Sequence, residues 1–277
     1  MDKKIGVIGL GMVGNEVYKW FKEKKFLVFG YDKFKKSDSL EDVEKAKIIF
    51  LCLPTPYDKN KGYDISALTE NLDYFKKSDS KIFVIKSTLL PGTTDYFQKK
   101  YKNHYFLFCP EFLTEATAEK DFREPYLQVL GYTQKSKKIA PKILKILPRA
   151  RLLDIIVEAK VAELFKLVRN AFFSTKVIFS NTVFDLCEKL GIDYEKVKLL
   201  MKKDPWIGGI HFEIVHKGKR GFGGKCLPKD LLALIWCYQK NKLKPKLFET
   251  VWRVNFNLLK RQKLLKKLYK DWLQNKS

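Results

Sequence analysis

A chain of 277 residues with 45% apolar residues can bury one large core or two modest ones, which excludes extended disorder. No run of 18 apolar residues occurs, so the sequence reads as having no membrane span. The net charge of +24 comes mostly from Lys, with only seven Arg; phosphate clamping and base reading favour the forked Arg, so the charge suits a solvated surface and an acidic small molecule better than nucleic acid.

The chain opens with an apolar run that resembles a signal peptide but is broken by Gly6, Gly9, Gly11 and Gly14, so it reads as a buried strand and a turn. Strands are expected at Lys4–Ile8, Phe26–Tyr31, Ile48–Cys52, Ile82–Ile85, Tyr105–Cys109 and Gln128–Gly131, with helices such as Met12–Glu23 and Ile65–Phe75 between them. This alternation implies an α/β fold with a Rossmann-type, doubly wound parallel sheet. Pro141 and Pro148 punctuate a last αβ unit. From Glu158 to Leu190 the chain has no Gly or Pro and is densely apolar, which predicts one long helix in a core or subunit interface, ended by Gly191. Shorter helices and a Gly-rich loop follow, then a basic amphipathic helix from Leu247 to about Gln274, partly solvated. The expected domains are 1–153 (dinucleotide-binding), 154–240 (all-helical, around the long helix) and 241–277 (a basic helical tail).

Five cysteines without CxxC spacing argue against a disulfide framework and for a reducing, cytoplasmic setting. The three histidines form no ligand motif, so no metal site is expected.

Gly9-Leu10-Gly11-Met12-Val13-Gly14 is a GxGxxG between a strand and a helix. Gly9 permits the tight turn, Gly11 lets backbone approach a pyrophosphate, and Gly14 lets helix and strand pack closely. Asp32 closes the second strand, 18 residues after Gly14, where a carboxylate accepts ribose hydroxyls and repels a 2′-phosphate. The pattern points to NAD over NADP, although Lys33 beside Asp32 weakens that preference.

A second glycine segment, Gly221-Phe222-Gly223-Gly224-Lys225-Cys226-Leu227-Pro228-Lys229-Asp230, leads into an apolar run. Pro228 and Asp230 signal a helix start, so Cys226 stands at a helix N-terminus beside Lys225 and Lys229, where a thiolate is favoured. Cys52, Cys109, Cys187 and Cys237 read as small buried hydrophobes. Lys166 and Asn170 are four apart on one face of the long helix and could stabilise an oxyanion, or else belong to a solvated stripe.

Six ordered motifs then carry a resemblance: GLGMVG at 9–14, LPTP at 53–56, KSTLLPGTT at 86–94, PEFLTEATAEKDF at 110–122, AELFKLVRNAF at 162–172 and GFGGKCLPKD at 221–230. Together they resemble the UDP-glucose/GDP-mannose dehydrogenase family over residues 1 to about 240. The resemblance implies double oxidation of a nucleotide sugar, UDP-glucose foremost, to its uronate for polysaccharide biosynthesis, with two NAD consumed. It implies that Cys226 captures the aldehyde as a thiohemiacetal and carries the later thioester. Lys166 and Asn170 would steady the oxyanions, Asp230 would orient water or move a proton, and Glu111 would act in thioester hydrolysis. Thr88 would line the junction of cofactor and sugar. The cofactor would meet Gly9, Gly11, Met12, Val13, Gly14, Asp32, Pro54, Thr55, Ser87, Thr88 and Glu115. The substrate would meet Glu111, Phe112, Leu113, Glu115, Lys166, Asn170, Arg220, Gly221, Phe222 and Gly223. A homodimer through the long helix is also implied.

Two departures stand out. Family members usually carry a third, nucleotide-binding domain, whereas about 37 residues follow Lys240, so a short form is expected whose nucleotide grip comes from the central domain, a partner subunit or a separate chain. Trp206 stands where the family commonly has an Arg that crosses the dimer, with Arg220 or Lys219 as candidates to replace it. Two other readings fit the residues: a single-oxidation hydroxyacid dehydrogenase of the 6-phosphogluconate type, and a catalytically silent basic binding protein that keeps the fold.

Overall fold

The computed structural model describes residues 3–265. Contacts divide the chain into two compact units, one comprising the chain up to Pro56 together with Tyr63–Lys166, the other Tyr57–Gly62 together with the chain from Leu167.

The first unit is built on short apolar runs. Its elements are β1 (Lys4–Ile8), α1 (Met12–Glu23), β2 (Leu27–Tyr31), α2 (Leu40–Glu44) and β3 (Ile48–Leu51). A small hairpin of β4 (Tyr57–Asp58) and β5 (Gly62–Tyr63) interrupts it, and β4 packs on a helix of the second unit's own set. Then come α3 (Ser66–Tyr74), β6 (Ile82–Ile85), α4 (Thr93–Lys100), β7 (Tyr105–Phe108), α5 (Ala118–Arg123), β8 (Leu127–Tyr132), α6 (Ala140–Leu144) and β9 (Leu153–Glu158). The seven main strands lie in the order β2-β1-β3-β6-β7-β8-β9. Strands β3, β6 and β7 are apolar throughout because helices cover both faces. One face buries Ile8, Ile49, Leu51, Phe83, Ile85 and Phe106. The other buries Ile5, Val7, Ile48, Phe50, Val84 and Leu107. These neighbours alternate as a strand's period of two requires.

Two expectations need correction. The sheet is mixed, because β8 runs antiparallel to β7. The connection from Cys109 to Tyr126 therefore stays at the C-terminal edge of the parallel strands instead of crossing back, which keeps Glu111 at the edge where ligands of doubly wound sheets bind. The seventh strand, β9, was missing from the expected strands. It pairs with β8 in register but is half-exposed and runs straight into the next helix with no Gly or Pro between them. The two units divide after Lys166, within that next helix. Ala159 and Ala162 of that helix belong to the sheet's core.

That helix is α7 (Ala159–Leu190), 32 residues long. It ends where Gly191 takes φ +67° and Ile192 N–H donates to Cys187 O, a left-handed cap. The second unit continues with α8 (Tyr194–Lys203), the hairpin β10 (Val215–His216) and β11 (Lys219–Arg220), α9 (Leu227–Lys240) and α10 (Lys246–Arg261). In its described part the expected amphipathic, partly solvated helix is α10, which packs on α9 and β11 and buries Val251, Asn255 and Leu259 at four-residue intervals. Residues 266–274 of that expected helix lie outside the described residues.

Candidate active site

The strand order around β1 reverses between β2 and β3, and the first glycine loop sits at the end of β1. A side chain on Gly14 would place its Cβ 1.8 Å from Gly9 O, so α1 approaches the turn more closely than any other residue allows. At Gly11 an added Cβ would meet nothing within 4 Å, so the loop leaves open space above the free N–H groups of α1. That cradle fits a dinucleotide pyrophosphate. Met12 is exposed and Val13 half-buried at the start of α1. The Asp32 carboxylate accepts from Leu10 N–H at 2.8 Å and from Phe34 N–H at 3.0 Å, which aims it across the loop.

The ends of β3 and β6 add a second wall. Thr55, buried, donates its hydroxyl to Thr88 O at 2.7 Å, and Ser87 Oγ donates to Leu53 O at 2.6 Å. These bonds lock the Pro54 turn to the Ser87–Thr88 segment. Pro54 is exposed and Thr88 half-buried. Glu115 is exposed on the loop before α5.

At the far end of that loop, Lys166 is 4% exposed and places Nζ 2.5 Å from Glu111 O and 3.2 Å from Glu111 Oε1. Glu111 Oε2 accepts from Leu113 N–H at 2.7 Å, which fixes the carboxylate. The Lys166 ammonium also stands 5.5 Å from the centre of the Phe112 ring, which shields the pair. Such a buried cation and carboxylate can polarise an oxygen and move a proton.

In the second unit, Asn170 Nδ2 donates to Asp230 Oδ2 at 2.5 Å, and Lys229 Nζ donates to Asp230 Oδ1 at 2.6 Å. Asp230 is fully buried, in the first turn of α9. Its N–H donates to Cys226 O at 3.0 Å, which opens the helix and makes Cys226 its N-cap residue. Of the five cysteines, Cys226 is the exposed one. By contrast, burial pushes the Cys237 thiol up to about 11. A soft nucleophile is thus presented at a helix N-terminus, one turn from a buried carboxylate and amide.

Arg220, expected at the substrate, is held by side chains of α7. Its guanidinium donates to Asn181 Oδ1 at 3.0 Å and Asp185 Oδ1 at 2.6 Å and lies over the Phe184 ring. Trp206 is 94% exposed.

Two residues escaped the sequence reading. Asn255, fully buried on α10, accepts from Phe222 N–H at 2.8 Å and donates to Phe222 O at 3.0 Å. This amide imitates a strand partner and holds the Gly221–Gly224 loop; Gly221 has φ +80°, and a Cβ there would lie 2.6 Å from Asn255 Oδ1. Its signal was present as an Asn on the apolar stripe of an amphipathic helix. Glu163, fully buried on α7, accepts from Gly92 N–H at 2.5 Å, Thr94 N–H at 2.8 Å and Thr94 Oγ1 at 2.6 Å, so it caps α4 from outside. Its signal was a carboxylate within a densely apolar helical run.

Comparison with known proteins agrees with this geometry. Residues 32–147 match the UDP-glucose/GDP-mannose dehydrogenase family, NAD binding domain, and residues 160–257 match the central domain of the same family. A UDP-glucose 6-dehydrogenase of Rickettsia bellii is 33% identical over 222 residues, covering 78% of this chain and 50% of the relative. The chain thus spans about half the length of such curated relatives. Among solved structures, a UDP-glucose dehydrogenase from Pyrobaculum islandicum superposes with TM-score 0.83 at 25% identity, over 96% of this chain and 71% of that one. The Mycobacterium tuberculosis 3-hydroxyisobutyrate dehydrogenase shares the fold, with TM-score 0.74 at 16% identity over 94% of each chain. The first unit is an NAD-binding domain, and its Gly11 cradle and Asp32 fit that cofactor.

Proposed function

The chain belongs to the UDP-glucose/GDP-mannose dehydrogenase family, and from that premise we propose that it oxidises the primary alcohol of a nucleotide sugar to a carboxylate, with UDP-glucose as substrate. NAD, when bound beside the Gly11 cradle and Asp32, would supply the hydride acceptor for two oxidations. Cys226 adds its sulfur to the aldehyde carbon, forming a thiohemiacetal that keeps the aldehyde from escaping. Loss of the second hydride leaves a thioester; water then adds to its carbonyl, the carbon–sulfur bond breaks, and the thiol regains a proton. Within the first unit, Lys166 is placed to steady negative charge on an oxygen, and Glu111, held by Leu113 N–H, to accept a proton. Asn170 and Asp230 form the polar floor beside Cys226.

The observation that carries this reading is that Cys226 alone of five cysteines is exposed, and it stands one turn from Asp230. A single-oxidation dehydrogenase has no use for that thiol. The test is to incubate the purified chain with NAD and a panel of nucleotide sugars, following NADH and the product mass. About two NADH per sugar are expected, and Cys226→Ser should form no uronate. One NADH with a released aldehyde would sink the mechanism.

A homodimer through α7 is part of the same reading. Val161, Leu164, Val168, Phe172, Phe179 and Leu186 are all exposed on this helix. Sedimentation of the full chain should give a dimer that Phe172→Glu splits; a monomeric parent would overturn it. No described helix is long and apolar enough to cross a membrane, and the five free cysteines suit a reducing cytoplasm.

A further inference from the structure

Of the four buried lysines among the described residues, three meet oxygen: Lys81 at Glu44 O, Lys166 at Glu111, and Lys176 at the Ile207 and Gly208 carbonyls. Lys86, 5% exposed, meets sulfur instead. Its Nζ stands 3.3 Å from Cys109 Sγ and 5.7 Å from the centre of the Phe122 ring. The same sulfur accepts from Gln128 Nε2 at 3.1 Å, and both Cys109 and Gln128 are buried. Two N–H donors, from the strands on either side, thus converge on one thiol.

The sheet itself makes this approach. Ile85 and Phe108 are the last paired residues of β6 and β7, and Cys109 N–H donates to Ile85 O at 2.8 Å. Lys86 and Cys109 are therefore the next residues along two parallel strands, and their side chains meet on one face. For packing alone the pair is a poor choice, because sulfur is a weaker acceptor for a buried ammonium than a carbonyl or carboxylate. Beside it lies a cavity of about 20 Å³ whose lining includes Lys86, Pro110, Glu111 and Gln128. That is room for one molecule of water's size. Hydrogen peroxide is little larger than water, whereas an alkylating reagent does not fit.

We propose that Lys86 and Cys109 are a site of oxidative crosslinking, in which hydrogen peroxide drives formation of a sulfenamide bond between Nζ and Sγ. In the first step the sulfur attacks one peroxide oxygen, the O–O bond breaks, and Cys109 becomes a sulfenic acid with release of water. In the second step the Lys86 nitrogen, having given a proton to solvent, attacks that sulfur. The S–O bond breaks, and the hydroxide leaves as water with a second nitrogen proton. Sulfur loses two electrons, peroxide gains them, and the joined pair is two hydrogens lighter. A separation of 3.3 Å already places the two atoms at reacting distance. The bond ties together the strand ends that carry Ser87–Thr88 and Glu111. It needs neither cofactor nor sugar, so it stands or falls apart from the oxidation of nucleotide sugars.

The test is to treat the folded full chain with hydrogen peroxide, then denature, alkylate, digest with trypsin and weigh the peptides. The expected product is peptide 82–99, left uncut after Lys86, joined to peptide 103–120 at two hydrogens below their summed mass. Dithiothreitol should separate the two. Peroxide added to the chain in urea should give no such pair, because the fold no longer brings the residues together. Lys86→Arg keeps a donor beside the sulfur but has no primary amine, so its Cys109 should stay unlinked. Oxidation of the exposed Cys226 in the same sample reports that peroxide acted on the protein. A parent chain with Cys226 oxidised and Cys109 still a thiol, or oxidised without the link, would overturn the crosslink. Equal linkage in urea would do the same.

Discussion

The molecule has two glycine loops that each run into a helix N-terminus, and they are held in different ways. The Gly9–Gly14 loop is closed by the missing side chain of Gly14 against Gly9 O, and its remote ties run through backbone N–H groups, from Gly9 to Tyr31 O and from Leu10 to the Asp32 carboxylate. The Gly221–Gly224 loop is held from a distance, by the Asn255 side chain 33 residues beyond Phe222. A pyrophosphate needs only backbone N–H groups and room, which local geometry supplies. The loop that leads into Cys226 takes its shape instead from a buried side chain on another helix.

That contrast can be broken at either loop. The largest effect is expected from Gly14→Val, whose branched side chain must push α1 off the turn. Above about 3 kcal/mol of strain is expected, with NADH binding lost and the thermal transition lowered. A variant that still binds NADH at parental affinity would show that the loop is softer than the 1.8 Å approach implies. Next comes Asn255→Ala, which strands the buried N–H and C=O of Phe222 at a cost of about 2–4 kcal/mol. Its signature should separate the two loops: NADH binding persists, whereas the rate at which iodoacetamide alkylates Cys226 changes. Unchanged alkylation would remove Asn255 from the aiming of the thiol.

The smallest effects concern pH, and here the two units should respond with opposite sign. Burial raises the Glu163 carboxyl in the first unit to about 7, against the three hydrogen bonds it receives and despite the resulting partial offset. Its contribution is then full below about 4.5 and is lost as pH rises through about 7, with a slope of up to about 1.4 kcal/mol per pH unit. In the second unit, burial first, then Lys176, Arg169 and His216, lowers His211 to about 4, where its ring packs on Phe173. That contribution is full above about 6.5 and is lost as pH falls through about 4. Urea melts across this window should show Glu163→Gln flattening the first slope and His211→Gln the second. If either substitution leaves the pH profile unmoved, the corresponding group does not titrate between its folded and unfolded values.

What was legible in the sequence was whatever depends on near neighbours. Six strands, α1 and α7 follow from apolar periodicity, and the two glycine segments announce their turns because glycine spacing and a following helix are local facts. Cys226 was singled out for the same reason, by the Gly, Lys, Pro and Asp within a few residues of it. Tertiary structure alone decided the rest. The direction of β8 depends on which edge its connection follows, and β9 is hidden because it passes into α7 without a breaker. The pairing of Lys166 with Glu111, 55 residues apart, and of Asn170 with Asp230, 60 apart, turns four separated polar residues into two buried clusters. The Arg220 guanidinium meets Asn181 and Asp185, 39 and 35 residues away in sequence. Asn255 looked like one more polar residue on a basic helix until burial showed what it holds. Local chemistry is written in spacing, whereas a hydrogen bond across tens of residues exists only once packing has excluded the water that would otherwise satisfy both partners.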